Sequence, residues 1–169
     1  MVAVNASDLV RDTIDTWSIE RPDLDFNAMA TCLRLARFQN EAIPRVEAAL
    51  TPHGINLGEF DVLATLRRRG AGAELNPGTL ARAAMVSPAG MTNRLDRLHN
   101  AGLINRRTDP DDRRAWLISL TVEGRRAADA AIEAVSDAQR VLLDGIAASE
   151  RATLDRLFDK LLRALGEHP

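Results

Sequence analysis

Residues 76 to 103 read NPGTLARAAMVSPAGMTNRLDRLHNAGL, and they carry one helix-start signal twice, Asn76-Pro77 and Ser87-Pro88. In each pair a polar side chain can accept from the free N–H groups of a helix whose first residue, a proline, has no N–H to satisfy. The spacing predicts a short helix over about 77 to 84 and a second from 88 to about 101. The second stops at Gly102, where a left-handed cap costs glycine little. Helices joined by so few residues cannot lie antiparallel along their length. They must cross steeply, as in a helix-turn-helix.

Beyond Gly102 the pattern changes to strands. LINRR (103–107) and RRAWLISL (113–120) flank the turn-forming TDPDD, predicting a hairpin with a long charged tip. Thr121, with Glu123 in the first turn, caps a helix bearing Ala127, Ala131, Val135, Ala138, Leu142 and Ile146. Ser149 is read as the cap of a last helix, with Leu154, Leu157, Phe158, Leu161 and Leu165 on its apolar side. On the N-terminal side, Ser7 is read as the cap of a helix over 7–20 that carries Val10, Ile14 and Trp17 and ends at Pro22. Apolar positions Met29, Leu33, Ala36, Ile43, Val46 and Leu50 predict a helix over 27–50 that Pro44 should kink. Another, from Leu57 to Arg69, should bury Phe60, Leu63, Ala64 and Leu66. The fold class is therefore mainly α with a small β-hairpin.

The net charge of −2 conceals a polarised distribution. Residues 66 to 114 hold ten arginines and five acids, a basic centre between acidic arms. No apolar run approaches the roughly 20 residues that span a bilayer, and the start lacks a signal-peptide pattern. A single cysteine excludes an intrachain disulfide framework. A cytoplasmic location is the expectation. No nucleophile–base pair or glycine-rich phosphate loop appears, so no catalytic residue and no cofactor are assigned. The histidines at 53, 99 and 168 are too scattered for a metal site.

With successive residues turned by about 100°, Leu95 and Leu98 fall close to Met91 and define a buried stripe on the second helix. Ala89, Asn93 and Asp96 face outward, with Thr92 and Arg97 on the flanks. Arg94 lies near the buried side and would have to reach round its edge. Small residues, an amide, a hydroxyl and an arginine suit a helix pressed into a DNA groove. Asn can pair with adenine, methyl groups can meet thymine, and Arg97 can reach a phosphate. The hairpin tip carries Asp109, Asp111, Asp112, Arg113 and Arg114. Its spacing fits no calcium loop. Its arginines suit the negative potential of a narrow minor groove, with Asp112 orienting them.

This combination resembles the MarR (multiple antibiotic resistance regulator) family of winged-helix transcription factors over about residues 27 to 166. The most specific stretch is LARAAMVSPAGMTNRLDRLHNAGLINRRTDPDDRRAWLISLTVEG. The resemblance places Arg114 at the minor-groove position of the wing, Asn93 at a base-reading position often held by arginine, and Arg97 near the DNA backbone. It implies a homodimer built from N- and C-terminal helices, and effector pockets between the dimerising and DNA-binding parts. An aromatic compound is one candidate effector.

The reading is thus a homodimeric regulator, a repressor, that binds a pseudo-palindromic operator in double-stranded DNA. Its expected DNA-contacting residues are Ser87, Pro88, Ala89, Thr92, Asn93, Arg94, Arg97, Arg113 and Arg114. The expected parts are an extension helix (1–26), a dimerisation helix and linker (27–56), a winged helix-turn-helix (57–120) and dimerisation helices (121–169). Two alternatives stand beside it. One is a winged helix that binds an acidic protein partner. The other is a thiol-based peroxide sensor acting through Cys32, although Leu33, Leu35 and the helical spacing favour an inert core cysteine.

Overall fold

Leu50, Leu63, Leu66, Leu80, Met91, Leu98, Ile104 and Ile118 are almost wholly buried, and together they draw on every element of the chain's middle. Each such aliphatic side chain contributes about 1.5–3 kcal/mol through loss of water contact. A computed structural model describes residues 6–84, 88–110 and 115–166, with residues 6–8 and 88–89 described by backbone alone.

The elements are α1 (Ala6–Glu20), α2 (Asn27–Leu50), α3 (Leu57–Arg68), α4 (Pro77–Ala83), α5 (Pro88–Asn100), β1 (Ile104–Thr108), β2 (Trp116–Leu120), α6 (Val122–Leu142) and α7 (Ala148–Gly166). The strands pair antiparallel, from Ile104 opposite Leu120 to Thr108 opposite Trp116. Leu75 bridges the free edge of β2, exchanging two backbone hydrogen bonds with Ile118 at 3.0 and 2.9 Å. This ties the approach to α4 to the hairpin. α3 packs on α5 and α6, and α2 on α1 and α6.

Local chemistry accounts for most boundaries. Asn76 Oδ1 accepts from Thr79 N at 2.8 Å, and Thr121 Oγ1 accepts from Gly124 N at 2.9 Å. Gly102, at φ 70°, takes the left-handed cap of α5, and Leu103 N closes the turn by donating to Leu98 O at 2.9 Å.

Several expectations are corrected. α1 already begins at Ala6, so Ser7 lies inside the helix. α7 begins at Ala148 and Ser149 sits in its first turn. The capping there comes from Glu150, whose Oε2 accepts from Ala147 N at 2.7 Å. The helix over 27–50, by contrast, forms as the spacing predicted, with Pro44 inside it. α6 stops at Leu142, leaving Ile146 in the following turn. Met29 and Ile43 of α2 are exposed at 41% and 37%, and Leu161 and Leu165 of α7 at 51% and 72%. α7 buries none of its side chains. The apolar periodicity of α7 is therefore left uncovered among the described residues.

Candidate nucleic-acid interface

α5 owes its position to three apolar anchors and to the helices under it. Met91, Leu95 and Leu98 are 1%, 3% and 2% exposed, which presses the helix onto α3 and α4 and fixes its rotation. Thr92 and Asn93 consequently point away from this stripe and are exposed. Helical geometry predicts Asn93 on the outward face and Thr92 on its flank. Pro88 and Ala89 form the start of α5. Ser87, the expected cap of α5, lies outside the described residues, as do Asp111, Asp112, Arg113 and Arg114 of the expected wing tip.

Several arginines of the basic stretch pair with protein groups, even where they remain solvent-facing. Arg67 Nε donates to Asp129 Oδ1 at 2.6 Å, joining α3 to α6. Arg68 Nη2 donates to the Ala83 carbonyl at the end of α4 at 2.6 Å. Arg107 Nε donates to Glu74 Oε1 at 2.7 Å. Arg106 Nη1 lies 2.7 Å from Asp96 Oδ1, linking β1 to α5. Arg97 Nε lies 2.8 Å from Glu59 Oε1. Among the described residues, five arginines of the basic centre therefore have protein partners, and two of them, Arg106 and Arg107, tie the hairpin to the helix-turn-helix region. The sequence could count these cations but not see their partners.

Arg94 lies near the buried side of α5, where the helical geometry placed it. It is half-buried and runs across Gly58 of α3, where a Cβ would lie 2.3 Å from its Nε. The missing side chain at Gly58 makes this crossing possible. Beside it, burial raises the Asp61 carboxyl above its usual pKa of 3.8, with the Arg94 charge opposing that shift. Arg94 thus serves the α3–α5 packing, and α5's outward face is led by Thr92 and Asn93.

Glu59 was missed at the sequence level. The signal was present in Asn56-x-x-Glu59, the spacing of a capping box. Both of its hydrogen bonds form, and Glu59 is only 4% exposed. Cys32 is also corrected: it is exposed on α2, not a core residue. Leu33 turns inward more than Cys32 does, because adjacent residues on a helix point about 100° apart. Among the described residues no group of three or more His, Cys, Asp or Glu could hold a metal ion, and no helix is long and apolar enough to cross a membrane.

A helix-turn-helix with a β-hairpin directly behind its second helix is a winged helix, and comparison with known proteins agrees. The sequence model of the MarR family matches residues 55–116. The HTH-type transcriptional regulator PecS of Dickeya dadantii is 33% identical over 156 residues, 92% of this chain and 94% of the relative. The chain belongs to the MarR family. The multiple antibiotic resistance protein MarR of Escherichia coli is 30% identical over 139 residues, 81% of this chain and 94% of that protein. This MarR-family chain also matches the crystal structure of a mutant E. coli MarR complexed with operator DNA, with TM-score 0.71 and 29% identity over 81% of this chain and 97% of the other. AbsC, a MarR family transcriptional regulator from Streptomyces coelicolor, shares the fold at TM-score 0.73 and 22% identity.

Proposed function

We propose that this chain is a DNA-binding transcriptional regulator, a repressor, that binds a pseudo-palindromic operator as a homodimer and is released by a small molecule. The observation that carries the reading is the outward face of α5, where Thr92 and Asn93 stand exposed on a helix anchored by Met91, Leu95 and Leu98. Such a helix can enter a major groove, with Asn93 pairing to a base edge and Thr92 meeting a methyl group or phosphate. The family relative crystallised with operator DNA supports the same use.

The dimer is supported by apolar surface. Val141, Leu157, Leu161, Leu162 and Leu165 range from 46% to 72% exposed, a density of large aliphatics that water does not favour on a single chain. α2 and α7 supply the dimerising faces and residues 57–120 the DNA-binding unit. A cavity of about 750 Å³ between α2, α6 and α7 is lined by Phe38, Ile43, Val46, Leu57, Leu142 and Phe158 among others. Its size and apolar lining suit a small aromatic effector. Leu57 opens α3, so an occupant there touches the helix on which α5 rests.

Sequencing of genomic fragments retained by the purified protein tests this. The expected result is a two-fold motif whose half-sites are about one helical turn, or a multiple of it, apart. Retention without any shared motif overturns operator recognition. Weak, salt-insensitive retention would instead favour an acidic protein partner.

A further inference from the structure

Glu59 carries a buried carboxylate whose two oxygens serve different elements. Oε2 accepts from the Asn56 N–H at 3.0 Å, while Asn56 Oδ1 accepts from Glu59 N at 2.9 Å. That oxygen belongs to the start of α3. Oε1 lies 2.8 Å from Arg97 Nε on α5, and the side chains are 5% and 69% exposed respectively. The carboxylate is therefore fixed by a backbone bond on one side and grips an otherwise solvent-facing guanidinium on the other. A pair formed through Nε engages only one edge of the five-donor fork.

Resting on the DNA-binding reading above, we infer that Glu59 is a positioning residue for DNA binding: it holds Arg97 by its Nε edge so that the guanidinium meets a backbone phosphate already oriented. Two effects oppose each other. The carboxylate's charge repels phosphate, and its grip spares Arg97 the rotamer entropy that a free arginine loses on docking. The geometry favours the grip, because the carboxylate lies beneath Arg97, almost wholly buried, with its charge matched at 2.8 Å. The phosphate would meet the pair from its cationic side.

Glu59→Gln separates the two effects. The amide offers an acceptor at only one of the two positions, so it cannot serve Asn56 N–H and Arg97 together. Binding to a random-sequence duplex of about 30 base pairs, long enough for two half-sites, is read by fluorescence anisotropy across a salt series. Phosphate contacts do not depend on sequence, so no operator is needed.

Glu59→Gln is expected to weaken binding by about 2- to 10-fold, the cost of ordering one long side chain, without changing the slope of log K against log salt. Arg97→Ala should lower that slope by about 1, and adding Glu59→Gln to it should change nothing further. Arg97→Lys keeps the charge without the Nε edge, so it should also be insensitive to Glu59→Gln. Tighter binding by Glu59→Gln means that repulsion governs and overturns the inference. Equal weakening with and without Arg97 reveals a merely structural role in α3 and also overturns it. A wild-type protein that binds no duplex at low salt overturns the DNA-binding reading itself, and this inference with it.

Discussion

Gly124 of α6 approaches the Leu103 carbonyl so closely that a Cβ there would sit 1.8 Å from its oxygen. The same carbonyl accepts from Thr121 N at 3.1 Å, and Thr121 Oγ1 donates to Gly102 O at 2.8 Å. Three consecutive features, the end of α5, the root of the hairpin and the start of α6, meet at this contact. Gly124→Ala must push backbone against backbone, which no rotamer change relieves. A loss of about 2–3 kcal/mol in unfolding free energy is expected, read from urea melts. A loss within error would mean that the hairpin root yields and does not set the wing's position.

Asp61 should make the fold pH-sensitive. Its carboxyl is raised above 3.8 chiefly by burial, so the folded chain holds this proton to higher pH than the unfolded chain does. Between those two values stability falls as pH rises, and the deficit persists at neutral pH. Asp61→Asn should therefore raise the melting midpoint at pH 7. The gain should disappear below the usual aspartate range, where both states are protonated. A lower midpoint at pH 7 would show that attraction to Arg94 outweighs burial.

Asn93→Ala should cost about 1–3 kcal/mol of affinity on the recovered operator and much less on random duplex. Competition titrations with both duplexes measure the difference. Equal losses would remove Asn93 from base reading.

Leu161 and Leu165 stand exposed one turn apart on α7. Replacing both with aspartate should raise the dimer dissociation constant by about 100-fold, since burying two charges opposes association. Light scattering over a dilution series should show monomer where the parent chain is dimeric. An unchanged mass would exclude this face from the interface.

What was legible in the sequence was local. Asn76-Pro77, Thr121 and Gly102 mark their helix ends through contacts within a few residues, and the period of Met91, Leu95 and Leu98 set the rotation of α5. A cap is a bond between a side chain and nearby backbone, so residue type and spacing suffice to reveal it. The two serine caps that failed, Ser7 and Ser149, did so because helix starts can shift by a residue or be capped by a neighbour such as Glu150. Arginine pairing belongs to tertiary structure. Arg67, Arg97, Arg106 and Arg107 each have several acids within reach in composition, and only the packing of α3, α5, α6 and the hairpin selected Asp129, Glu59, Asp96 and Glu74. Arg94 likewise crosses Gly58 because two distant segments meet there. A guanidinium reaches far and bonds in many directions, so its sequence neighbours do not determine its partner.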